Sequence, residues 1–231
     1  MKIRFMSKNK LLKAAFLGMK QNFIPGIILQ IFALSIVLMY YNLDFAEGFF
    51  KYISAMKKEY GYIFSAISTA IFGGIIPFIL LSITGKIKKK FFIITFVFYV
   101  LVWMWKGIEV DAFYRLQGVL FGDKPTIYVT LKKTFVDQFV YNPIWAAPSL
   151  TIVYLWRDCD FSFRKLKSQL NIDFITFKVP SVLLSTWFIW IPAVLIIYQL
   201  PQDLQLPLFN IILCFWALLL SYISNHNTNY Q

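Results

Sequence analysis

Six stretches of this chain contain no Asp, Glu, Lys or Arg: 21–43, 60–85, 91–105, 139–156, 179–202 and everything after Asp203. An ionised side chain at the centre of a bilayer costs about 2.5–3.5 kcal/mol even on lenient insertion scales. Charge-free runs of this length are therefore the mark of membrane spans, which need roughly 20 predominantly apolar residues. The composition agrees: 59% of the 231 residues are hydrophobic and 15% are charged, where a soluble domain carries about a quarter charged residues. A globule of this length has too little interior for so many Phe, Ile and Leu side chains. The sequence predicts an all-α, polytopic transmembrane helix bundle of about six spans over 23–224. A basic amphipathic segment, 1–22, precedes it and a polar tail, 225–231, follows. The third run is the short one, and its helix is expected to continue through Lys106 and Glu109 towards Arg115.

Orientation follows from the basic residues that flank the spans. Residues 1–20 carry six Lys and Arg and no acid. The loop 44–59 has three basic and three acidic residues, 86–90 has four lysines, 106–138 has five basic and four acidic, and 157–178 has five basic and three acidic. The alternation fits six helices with both termini inside. It also uses up most of the +12 net charge, which excludes a nucleic-acid partner from the expectations. The first run is too long for the apolar core of a signal peptide and ends in Tyr40 and Tyr41, as an interfacial anchor does. The segment before it reads as a surface-lying helix, with a transit peptide as the competing reading.

Several features carry physical content inside the spans. Ala66, Ala70 and Gly74 recur every four residues beside Gly73, the spacing that lets two helix backbones approach closely in lipid. This stripe serves either a contact between subunits or ordinary packing within the bundle. Pro77 should kink its helix or widen it locally. Pro143, Pro148 and Pro192 free further carbonyls, which protein or a wet cavity must satisfy. Trp103, Trp105, Trp145 and Trp156 read as interfacial anchors.

The charged ends of the third and fourth helices fall on one side. Asp111 and Arg115, and likewise Lys133 and Asp137, stand four apart and can meet on a helix face. With Glu109 and Gln138 they are the candidate rim of a polar vestibule; otherwise they are solvated helix ends. Asp137 precedes an apolar run and is the deepest carboxylate, so it needs a partner or water.

Signatures of catalysis are missing from the sequence. Its single histidine, His226, lies in the tail, and there is no phosphate loop. Cys159 sits between Asp158 and Asp160, neighbours that hold a thiol protonated. No catalytic residue, cofactor or metal site is expected.

From about 113 to 224 the chain resembles the Mpv-seventeen / peroxisomal membrane protein 22 family of small integral membrane proteins, with a looser likeness from 61. Three stretches carry the likeness. Phe113-Tyr114-Arg115-Leu116 followed by Gly122 is similar to an aromatic-Tyr-basic helix end and its glycine turn. Leu131-Lys132-Lys133 through Val136-Asp137-Gln138 to Pro143 resembles the family's Lys-Lys, Asp-Gln and proline. Trp187, Trp190, Pro192-Ala193, Pro201, Trp216 and Leu220-Ser221-Tyr222 resemble its tryptophan-proline helix and closing segment. The chain departs from the pattern where Ile191 separates Trp190 from Pro192, and where Gln205 stands at a position expected to be arginine. Four arginines among abundant Ile, Lys, Phe, Tyr and Asn point to an AT-rich genome and a bacterial branch.

The resemblance implies a weakly selective pore for small solutes or ions, in a bacterial inner membrane or in a mitochondrial inner or peroxisomal membrane. Membrane lipids and further copies of the chain are its expected partners. A non-catalytic scaffold that binds partner proteins or anionic lipids is the alternative, and a proton-coupled transporter using Asp137 is a third.

Overall fold

The computed structural model describes the backbone of residues 8–228 and the side chains of 23–218 apart from Ser185. The side chains of the basic segment 1–22, and those of the tail with His226, lie outside the described residues. Within them the chain is helical, with no strand. Nine α-helices are described: α1 (Lys8–Asn42), α2 (Asp44–Thr69), α3 (Ile76–Ile83), α4 (Phe92–Phe121), α5 (Ile127–Val136), α6 (Ala147–Asp158), α7 (Phe163–Gln169), α8 (Val179–Ile197) and α9 (Gln202–Thr228).

Three helical stretches are long and apolar enough to cross a membrane: Phe23–Asn42, Asp44–Ile83 and Lys89–Phe121. The bent pair Phe174–Leu184 and Thr186–Ile197 makes a fourth if taken as one span, and Gln202–Leu218 is an apolar part of the longer α9. Among the described residues, three to four such spans thus stand where the charge-free runs suggest six. The fourth run differs for a visible reason. It is wound as a π-helix over Asp137–Ala146 and only then as α6, and Gln138 and Asn142 lie in that wide stretch.

Prolines set the winding. Three π-helical stretches, Ala70–Ile75, Asp137–Ala146 and Phe174–Lys178, each end two residues before a proline, at Pro77, Pro148 and Pro180. In each case the residue just before the proline donates its N–H to the carbonyl five positions back: Ile76 to Ile71, Ala147 to Asn142, Val179 to Phe174. A proline ring in an α-helix clashes with the carbonyl of residue i−4 and offers it no N–H. One extra residue in the turn moves that carbonyl aside, which is the local widening expected at Pro77.

The chain divides into two compact units. One comprises 1–24 and 134–192. Its core gathers Ala147, Leu155, Cys159, Leu166, Phe174, Val179 and Leu183, with Trp156 and Trp187 packed against them. The other comprises 25–133 and 193–231. There α2 packs on α4 and α9, and the wide turn Ala70–Ile75 packs on the same two helices. Because lipid tails are as apolar as the side chains, close van der Waals fit rather than expulsion from water drives such packing. Small residues supply the fit. A Cβ on Gly73 would lie 2.7 Å from the Trp103 ring and 2.8 Å from Leu213, and one on Gly74 would lie 2.9 Å from the Tyr99 carbonyl. Ala66 and Ala70 are buried beside them. The small-residue stripe is occupied by the chain's own α4 and α9. Trp103, expected as an interfacial anchor, is buried in this contact; Trp105 and Trp145 are exposed.

Candidate functional site

The second unit contains a buried ion cluster at a break in α2. Gly61 has φ +50° and ψ −119°, so the helix is interrupted there, a backbone state that glycine reaches because it lacks a Cβ. The break divides a helix of 40 residues, far more than one bilayer crossing needs. The Gly61 carbonyl at the break accepts two side-chain bonds. The Lys57 ammonium donates to the Gly61 carbonyl at 3.4 Å, and the Ser65 hydroxyl donates to it at 3.0 Å.

Asp111, projecting from α4, closes the cluster. Its Oδ2 accepts from Lys57 Nζ at 2.7 Å and from Ser65 Oγ at 2.8 Å, and its Oδ1 accepts from Arg115 Nε at 3.3 Å. The side chains of Lys57 and Asp111 are 3% and 6% exposed, while that of Arg115 is 43% exposed and lies over the Tyr62 ring. Two cations and one carboxylate leave the cluster with a net charge of about +1. The expected pair of Asp111 and Arg115 is present. Lys57, Ser65 and Gly61 are the members that charge counting alone does not reveal, because Lys57 stands in a loop whose charges cancel. The usable signal was a glycine at the first turn of a charge-free run, four residues beyond a lysine.

Polar groups continue below the cluster. Gly107 of α4 lies so close to the Ser65 carbonyl and to Thr69 that no Cβ fits there. Thr69 Oγ1 donates to Asn210 Oδ1 at 2.8 Å, and Asn210 Nδ2 donates to Ser68 Oγ at 3.0 Å. Asn210 is 1% exposed and Thr69 fully buried. From Asp111 through Ser65 to Thr69 and Asn210, a column of buried polar side chains thus descends between α2, α4 and α9.

Two further polar groups belong to this unit. Lys106 pairs with Glu109 at 2.8 Å, and the Trp105 indole donates to the same carboxylate at 3.0 Å. Gln117 donates to the Tyr198 hydroxyl. Lys133, 2% exposed, has its ammonium 4.0 Å from Asp123 and 5.8 Å from the centre of the Tyr198 ring. Burial pushes the Lys133 ammonium below its usual range, and the Asp123 charge offsets part of that.

Asp137 and Gln138 lie in the other unit. Both are buried at the start of the π-helical stretch, where α-helical winding ends. Gln138 Nε2 donates to Asp137 Oδ1 at 2.8 Å, Asn142 Nδ2 donates to Gln138 Oε1 at 3.2 Å, and Trp187 Nε1 donates to the Gln138 carbonyl at 3.0 Å. The last bond gives Trp187 a role inside the unit that the interfacial reading of tryptophans does not contain. Pro143 lies within this wide stretch and Pro148 just beyond it; Trp190 and Pro192 are half-buried on α8, and Trp216 is buried on α9. Of the expected rim residues, Asp111 and Arg115 join Lys57 in a cluster in one unit, and Asp137 and Gln138 join Asn142 in a hydrogen-bonded chain in the other. Among the described residues, no group of three His, Cys, Asp or Glu side chains could hold a metal ion. No family model, curated protein or solved structure matches this chain.

Proposed function

We propose that the protein is a six-span integral membrane protein, both termini inside, that passes small solutes or ions, and that the Lys57–Asp111–Arg115 cluster forms its charged mouth. The observation that carries this reading is the buried polar column beneath the cluster. Charged and polar side chains among membrane helices are costly, face the protein interior and mark solute pathways. A buried ion pair adds little stability over well-packed apolar residues, so stability alone is a poor reason to keep one here.

Depth supports the placement. At 1.5 Å per residue, α4 rises about 28 Å from Phe92 to Asp111, close to the ~30 Å hydrocarbon core. Lys86, Lys88, Lys89 and Lys90 are exposed before the start of that helix, where the positive-inside rule calls for them. Lys57 pairs with Asp111 and Lys58 with Asp203, which joins the first, third and fifth loops, the three that a six-span topology assigns to one side. The likeness to the Mpv-seventeen / peroxisomal membrane protein 22 family points the same way, towards a weakly selective pore in a bacterial inner or an organelle membrane.

A net positive mouth favours anions. Conductance of the purified protein in planar bilayers tests the proposal. The expected result is discrete currents with an anion preference that falls in Arg115→Gln and rises in Asp111→Asn. A correctly folded protein that carries no current overturns it.

A further inference from the structure

Two cavities adjoin where α1, α2 and α9 meet in the second unit. The wider one, of about 690 Å³, opens beside Tyr40, Tyr41, Asp44, Lys51, Lys58 and Asp203. The narrower, of about 130 Å³, is walled by Ile36, Phe49, Ile53, Phe64, Phe72 and Leu208. Phe50 and Leu204 line both, so a charged mouth adjoins an apolar pit. We propose that this paired cleft holds one zwitterionic phospholipid from the surrounding bilayer, its headgroup among Asp44, Lys51 and Lys58 and part of one acyl chain in the pit.

Three features select that occupant. The pit is close in size to the ~150 Å³ apolar cavities that stay dry and take up hydrocarbon, so it takes a few methylenes of an acyl chain and not a hydrated ion. The mouth carries charges of both signs. Lys51 pairs with Glu47 at 2.6 Å and Lys58 with Asp203 at 3.1 Å. Both lysines are more than 60% exposed, so these pairs are worth little and exchange readily for a phosphate. Asp44 adds a further carboxylate, giving three acids against two bases and a site for an ammonium. A net-negative mouth disfavours an anionic headgroup. The position also fits an interface: Tyr40 and Tyr41 close α1, and Phe45, Phe49 and Tyr52 are exposed on the first half of α2, as aromatic side chains are at headgroup level.

The inference rests on the membrane reading but not on conduction, so a silent protein leaves it standing. The full chain, reconstituted with equal phosphatidylethanolamine and phosphatidylglycerol and re-extracted in mild detergent, is examined by native mass spectrometry for retained lipid. Phosphatidylethanolamine should be retained over phosphatidylglycerol by about fivefold, the scale of one exposed charge contact. Asp44→Asn should bring the ratio near unity. Ala55→Trp, at an exposed position on the mouth, should cut total retention while circular dichroism shows the fold intact. Equal or inverted headgroup retention in the wild type, or undiminished retention in Ala55→Trp, overturns the proposal.

Discussion

Lys57 and Asp111 are 54 residues apart in the chain, yet the ammonium of one lies 2.7 Å from the carboxylate of the other, with neither side chain more than 6% exposed. Each is the other's solvent. Asp111→Leu strands the buried Lys57 ammonium and should lose about 3–5 kcal/mol, whereas Lys57→Met should lose less, because Asp111 keeps Arg115 and Ser65. The double variant Lys57→Met/Asp111→Leu should recover much of that loss, because Arg115 is exposed enough to be rehydrated. Unfolding of the detergent-solubilised single and double variants checks this. Losses that simply add would show that the two groups act independently.

The contact between α2 and α4 depends on the lack of a Cβ at Gly107, which faces the backbone of Ser65 and the side chain of Thr69. Backbone cannot swing away as a flexible side chain does. Gly107→Ala should therefore destabilise by about 1–3 kcal/mol and loosen the hydrogen bond from Thr69 to Asn210. Gly48 is the internal control: nothing lies within 4 Å of a Cβ placed there, and it sits inside α2. Gly48→Ala should leave stability unchanged or raise it by about 0.5–1 kcal/mol. Thermal melts of both variants under the same conditions make the comparison.

How much of this was legible in the sequence depends on the distance over which each signal acts. The apolar runs and the prolines are local, so the helices and the widened turn before Pro77 could be anticipated from residues 60–85 alone. Asp111 and Arg115 share a helix face, and their spacing showed the pair. Lys57 joins them from another helix through a break that one positive-φ glycine creates, and no spacing rule reaches across 54 residues. Counting charges by loop also hid it, since the loop 44–59 is neutral in sum while Lys57 points inward and Lys51 outward. Asp137 was singled out for its depth, and its burial follows from that. What could not be read is that the helix changes winding at this residue. The stretch holds Pro143 and ends two residues before Pro148, so its winding depends on residues beyond the first turn.

Lys133 gives a pH dependence with a definite sign. Its folded-state pKa lies below the ordinary 10.5 because burial penalises the charged form, with Asp123 as the partial offset. Between the lowered value and 10.5 the unfolded chain holds a proton that the folded chain has released, so stability rises with pH across that window. Below the window both states are charged and the full penalty applies. Lys133→Met removes the titrating group. The wild type should gain stability relative to this variant as pH is raised towards 10.5, read as the difference between their melting temperatures. A difference that stays flat with pH would contradict the assignment.

The break at Gly61 and the ammonium of Lys57 act on the same carbonyl, which makes their effects interdependent. An alanine at 61 would have to hold φ +50° with ψ −119°, a state L-residues avoid at a cost of about 1–3 kcal/mol. The less strained response is for α2 to straighten, which would withdraw the Gly61 carbonyl from Lys57 and Ser65 and carry both away from Asp111. Gly61→Ala should then disrupt the ion cluster without replacing any charged residue. In a double-mutant cycle with Lys57→Met, the two losses should fall short of additivity by about 0.5–3 kcal/mol, because the second change removes a bond that the first has already broken. Additive losses would mean that the helix keeps its break under strain and that the glycine serves backbone conformation alone. Gly48→Ala, in the same helix but far from the cluster, should show no coupling to Lys57→Met, which separates a local effect of the break from a general weakening of α2.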